Sequence, residues 1–97
     1  MSGELVPAEL AEARDRIDDI DREMVELLAA RFELTHQVGI LKAKQALGAL
    51  DESRQAEKLS VLRKLCADKG LDAELITELF KRIMGEVVKN HNRLRNQ

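Results

Sequence analysis

Between Pro7 and about Gln45 the chain keeps a 3.6-residue apolar rhythm with no internal proline, and Gly39 is the only glycine in that stretch. Pro7 suits the first turn of a helix, and Glu9 and Glu12 follow where a helix N-terminus favours acidic groups. One helix of about 38 residues is predicted, roughly 57 Å long at the usual rise. A compact globule of 97 residues is only about 30 Å across. One copy cannot bury such a helix along its length, so a partner chain is implied.

The rest of the chain continues the helical pattern. The stretch from Ala46 to Leu50 contains Gly48 and breaks the rhythm, Asp51 is placed to cap a second helix from Glu52 to about Lys69, and Gly70 reads as its stop. Asp72 caps a third helix whose apolar face runs Leu75, Ile76, Leu79, Phe80, Ile83, Met84, Val87 and Val88, to about Leu94. The polar tail from Asn90 to Gln97 is expected to fray. With two Phe, no Trp, no Tyr and few β-branched residues, the chain reads as all-α and as a single domain over residues 1–97.

Charge and composition narrow the function classes. The net charge of −2 has its signs interleaved, which gives no basic field for nucleic acid, and aromatic residues for stacking on bases are missing. No apolar run approaches the ~18 residues of a membrane span, and Met1 to Leu10 lacks a basic segment followed by an apolar one. A cytoplasmic protein is expected. The single cysteine, Cys66, sits beside Leu62 and Leu65 on an apolar face and reads as a small core residue.

Two cations interrupt the apolar stripe of the first helix. Ala13, Ile17, Ile20, Met24, Leu27, Leu28, Thr35 and Val38 share one face, and Arg31 and Lys42 fall within roughly 20° of its centre. Burying an unpaired cation costs several kcal/mol, roughly, so an anion should meet both. They are eleven residues apart, which places their Cα atoms roughly 16 Å apart on one side of a helix. Arg14 lies on the flank of the same stripe, roughly 25 Å before Arg31 along the helix, and joins such a site only from a partner subunit. Asp51, Arg54 and Gln55 occupy the first turn of the second helix, and His91 falls on the apolar centre of the third.

Each of these residues also has a plainer reading. Arg31 and Lys42 can pair with a carboxylate such as Glu57 or Glu86, or snorkel at the edge of the bundle. Asp51 can be a simple N-cap, Arg54 a solvated cation, and His91 a satisfied interface residue. Two histidines and one cysteine form no metal-ligand spacing, no glycine-rich phosphate loop is present, and Ser53 and Ser60 have no nearby His and acid pattern. What remains is a set of guanidinium, ammonium, amide and imidazole donors, which suits a small polyanion.

The segments from Ala13 to Asp21, Leu27 to Arg31, Val38 to Lys42 and Asp51 to Gln55 together resemble the all-helical class of chorismate mutases. The resemblance covers residues 8–91, and the joint spacing of Arg14, Arg31, Lys42 and Arg54 is its most specific element. It implies an intertwined homodimer of three-helix chains with two sites, each built from both subunits. It also implies that Arg31 and the partner chain's Arg14 clamp the two carboxylates of chorismate, with Arg54 lining the site. Lys42 would donate to the ether oxygen of the breaking bond, and Asp51 would orient the ring hydroxyl. No cofactor or metal is implied.

Two positions depart from the family's habit. Gln55 stands where Glu is frequent, and its amide still accepts from a ring hydroxyl. His91 stands where Gln is frequent as a second donor to the ether oxygen, and the Ser often found a turn earlier is Val87. The related isochorismate-pyruvate lyases share nearly the same Arg and Lys pattern, and a mutase acting on aminodeoxychorismate is a further variant. A reading of another class is a non-catalytic helical dimerisation module in which Arg31 and Lys42 make interhelical ion pairs.

Overall fold

Three α-helices make up the computed structural model, which describes residues 7–45, 47–48 and 51–97. They are α1 (Ala8–Lys44), α2 (Glu52–Lys69) and α3 (Ala73–Arg95), and no strand occurs among the described residues. Of the expected break between the first two helices, Leu47 and Gly48 are non-helical, while Ala46, Ala49 and Leu50 lie outside the described residues. The chain divides into two compact units that meet in sequence at Glu33 and Leu34.

The first unit is the N-terminal part of α1. Its helix starts where Pro7 leaves no N–H to satisfy, the Pro7 carbonyl accepting from the Ala11 N–H at 3.0 Å. Ile17, Ile20, Met24 and Leu27, the apolar positions of the stripe, are 49–69% exposed. Leu28 and Arg31 are half-buried.

The second unit combines the last turns of α1 with α2 and α3. Asp51 caps α2 by accepting the Arg54 N–H at 2.9 Å, which satisfies one of the donors that a helix start leaves open. Gly70 ends α2 at φ 68°, a left-handed conformation that costs glycine nothing, and the Leu71 N–H then reaches back to the Cys66 carbonyl at 2.9 Å. Asp72 starts α3 by accepting the Glu74 N–H at 2.9 Å. The short turn makes α2 and α3 an antiparallel hairpin, in which Cys66 of α2 and Thr77 and Ile83 of α3 are buried. Thr77 is satisfied in that apolar setting because its hydroxyl donates to the Ala73 carbonyl at 2.7 Å.

The tail expected to fray does not do so. α3 runs to Arg95, because Asn90 and His91 find tertiary partners on α1 that a polar composition does not reveal. The Asn90 Nδ2 group donates to His36 Nδ1 at 3.0 Å, and His91 is buried.

Candidate active site

The site begins at the end of α1. After Lys44 the chain folds over the last turn, with the Gln45 N–H on the Leu41 carbonyl at 3.1 Å and the Leu47 N–H on the Lys42 carbonyl at 2.8 Å. These bonds close the helix end and hold Leu47 against the Lys42 turn. An open hollow of about 520 Å³ results, lined by Lys42, Leu47, Gly48, Asp51 and Glu52.

Lys42 is half-buried, so part of its stem is covered. Asp51 meets it across the hollow from the N-cap of α2, where one carboxylate oxygen is engaged by the Arg54 N–H. Gln55, half-buried, sits one turn on with its N–H on the Asp51 carbonyl at 3.0 Å. The exposed Arg54 belongs to the same first turn, where the partial positive charge of the helix start adds to the attraction for anions. Lys42, Asp51, Arg54 and Gln55 are thus gathered at one junction. Arg31 is half-buried and Arg14 exposed in the first unit.

His91 is the most buried of the candidate site residues, at 5% exposure. Its Nε2 lies 2.8 Å from the Thr35 carbonyl, and since a carbonyl only accepts, Nε2 carries the proton. Nδ1 is buried and has no hydrogen-bond partner among the described residues. The ring lies against Gly39, where a Cβ would come within 2.5 Å of His91 Cδ2. The Thr35 carbonyl and Gly39 are therefore part of how the imidazole is held, and spacing arguments missed both. A glycine inside an otherwise regular helix was the available signal, since it costs about 1 kcal/mol there unless another group approaches closely. Glu52, Leu47 and Gly48 were likewise not singled out, because only the fold of the junction brings them to Lys42.

Glu86, one of the carboxylates that could have met the stripe's cations, is engaged on its own helix by Arg82 at 2.6 Å and Lys89 at 3.4 Å. The hydrogen bond from Arg82 and then that from Lys89 hold its carboxyl below the ordinary range. Among the described residues no cluster of His, Cys, Asp and Glu could hold a metal ion. No helix among the described residues is long and apolar enough to cross a membrane.

Comparison with known proteins gives this junction a lineage. Residues 13–92 match the family model described as chorismate mutase type II, and the chain belongs to that family. It is 35% identical over 85 residues to the T-protein of Enterobacter agglomerans, covering 88% of this chain and 23% of that one. Against the chorismate mutase of Methanocaldococcus jannaschii it is 29% identical over 84 residues, 87% of this chain and 80% of that one. A bifunctional chorismate mutase/prephenate dehydratase of Buchnera aphidicola is 33% identical over 81 residues, 84% of this chain and 21% of that protein. The chain thus spans less than a quarter of the length of the T-protein and of the bifunctional enzyme. Every residue singled out in the sequence, from Arg14 to His91, falls inside the matched stretch.

Proposed function

We propose that this chain is a chorismate mutase, rearranging chorismate to prephenate as a homodimer. The observation that carries the reading is the junction at which Lys42 and Asp51 line one hollow beside the first turn of α2, in a chain of this family. The reaction breaks one ether C–O bond and forms one C–C bond within a single molecule, and no proton has to move. A protein accelerates it by holding the enolpyruvyl arm over the ring and by stabilising negative charge as it grows on the ether oxygen.

The residue types fit those two tasks. Arg31 and the partner subunit's Arg14 clamp the two carboxylates, for which a planar guanidinium fork is suited, and Arg54 lines the same site. Lys42 donates to the ether oxygen, His91 serves as the second donor, and Asp51 and Gln55 meet the ring hydroxyl. Removing one such donor costs about 3 kcal/mol, roughly 10²-fold in rate.

The dimer is supported by the exposed stripe. Ile17, Ile20, Met24 and Leu27 each remain about half exposed or more in one copy. Covering such a side chain fully is worth about 1.5–3 kcal/mol. A second α1 laid antiparallel would cover the stripe and bring each Arg14 toward the other chain's site.

The test is product identification. Chorismate incubated with the protein should give prephenate, detected as phenylpyruvate after mild acid. Release of pyruvate from isochorismate, with chorismate left intact, would move the assignment to the lyase.

A further inference from the structure

His91 has one nitrogen committed and one left over. Nε2–H donates to the Thr35 carbonyl, the ring edge rests in the notch that Gly39 leaves, and Nδ1 is buried with no partner among the described residues. A buried polar nitrogen without a partner is destabilising, and a bound ligand can relieve it. We propose that the Thr35 carbonyl and Gly39 are positioning groups that lock His91 as its Nε2–H tautomer, so that it serves the substrate through Nδ1 and only as the imidazolium. The proposal rests on the chorismate mutase reading of the site and specifies which atom, in which protonation state, acts there.

The chemistry follows from the lock. A neutral imidazole with its proton on Nε2 offers only a lone pair at Nδ1, which repels an ether oxygen gaining negative charge. The imidazolium carries a hydrogen on both nitrogens, so it keeps the Thr35 bond and donates from Nδ1 as well. That hydrogen stabilises the charge without being transferred. The turns of α1 packed on this end of α3 carry His36 and Lys42, and the N-terminal turns of α2, which run back beside it, carry Arg54 and Lys58 against the carboxylates of Asp51, Glu52 and Glu57. His36 is itself engaged through Nδ1 by Asn90. The two carboxylates of a bound chorismate supply the negative charge that favours the imidazolium in the complex.

Two measurements test this. Nitrogen-15 spectra of the whole protein, with the imidazoles labelled and followed over pH to the neutral form of the ring, should show neutral His91 protonated at Nε2 and bare at Nδ1; a neutral ring with its proton on Nδ1 overturns the proposal without reference to catalysis. The pH dependence of kcat on chorismate should show a fall of at least about tenfold as pH rises through the interval of about 5 to 8 in which imidazoles titrate. His91→Gln should remove that slope, because an amide donates at every pH in the interval. His36→Gln, altering the chain's other histidine, should keep it. A flat wild-type profile with chorismate still consumed overturns the imidazolium role and leaves the mutase reading intact. No turnover of chorismate by the wild type at any pH overturns the mutase reading, and this role with it.

Discussion

His91 packs on Gly39 more closely than any side chain at that position would permit. A Cβ there would sit 2.5 Å from His91 Cδ2 and 2.9 Å from Leu94 Cδ1. The contact joins the C-terminal part of α3 to the turn of α1 that ends in Lys42. Two opposed effects decide what Gly39→Ala does: alanine favours the helix by about 1 kcal/mol, while forcing the ring and Leu94 outward costs about 1–3 kcal/mol. Because His91 Cδ2 belongs to a buried, hydrogen-bonded ring, the second should win. Urea unfolding at a fixed protein concentration should show Gly39→Ala less stable than wild type, and His91→Ala added to it should recover part of the loss relative to His91→Ala alone. A single variant more stable than wild type would mean that the ring yields at no cost.

The proposed sharing of each site between subunits predicts a complementation. Arg14→Ala and Lys42→Ala chains should each be nearly inactive alone. In a mixed dimer one site keeps both residues and the other loses both, so equal mixtures after refolding should recover about a quarter of wild-type activity. Mixtures no more active than the separate variants would place Arg14 outside the partner's site.

Arg31→Lys separates charge from geometry. The positive charge stays, while the planar fork that grips a carboxylate with two N–H groups is lost. Steady-state kinetics on chorismate should show kcat/KM reduced at least about tenfold. A variant matching wild type would assign Arg31 a general electrostatic role, as an interhelical ion pair would.

Glu86 gives the pH dependence of stability its sign. The hydrogen bonds from Arg82 and Lys89 hold its folded-state pKa below the unfolded value. Its contribution is therefore complete above the unfolded pKa and is lost as pH falls through the folded one. Both partners are mostly exposed, so the effect is small. Thermal melts should place Glu86→Gln slightly below wild type at pH 7, with the difference shrinking as pH falls into the acid range below the ordinary carboxylate pKa. A difference that grows on acidification would contradict this assignment.

Much of this architecture was legible because it is local. Asp51, Gly70 and Asp72 each mark a helix end by short-range chemistry, and each caps the helix expected of it. The burial of Cys66 followed from its place on an apolar face. The persistence of α3 past Asn90 was not legible, since it depends on His36 and Thr35, more than fifty positions away. For the site, the pattern of Arg31, Lys42 and the first turn of α2 pointed to a polyanion pocket. The lining by Glu52, Leu47 and Gly48 and the notch at Gly39 arise only when the chain turns back at Lys42. Periodicity reports which face a residue takes, and says nothing of how near another backbone comes.

The central claim is that Lys42 supplies the donor that makes this hollow a chorismate mutase site. Loss of the chorismate diene absorbance, followed with the wild-type protein and with Lys42→Ala, tests it most directly. The account predicts turnover by the wild type to prephenate, and a variant that keeps the helical circular dichroism and the oligomeric state of wild type while losing at least about 10²-fold in kcat. A folded Lys42→Ala protein that turns over chorismate at the wild-type rate would contradict it.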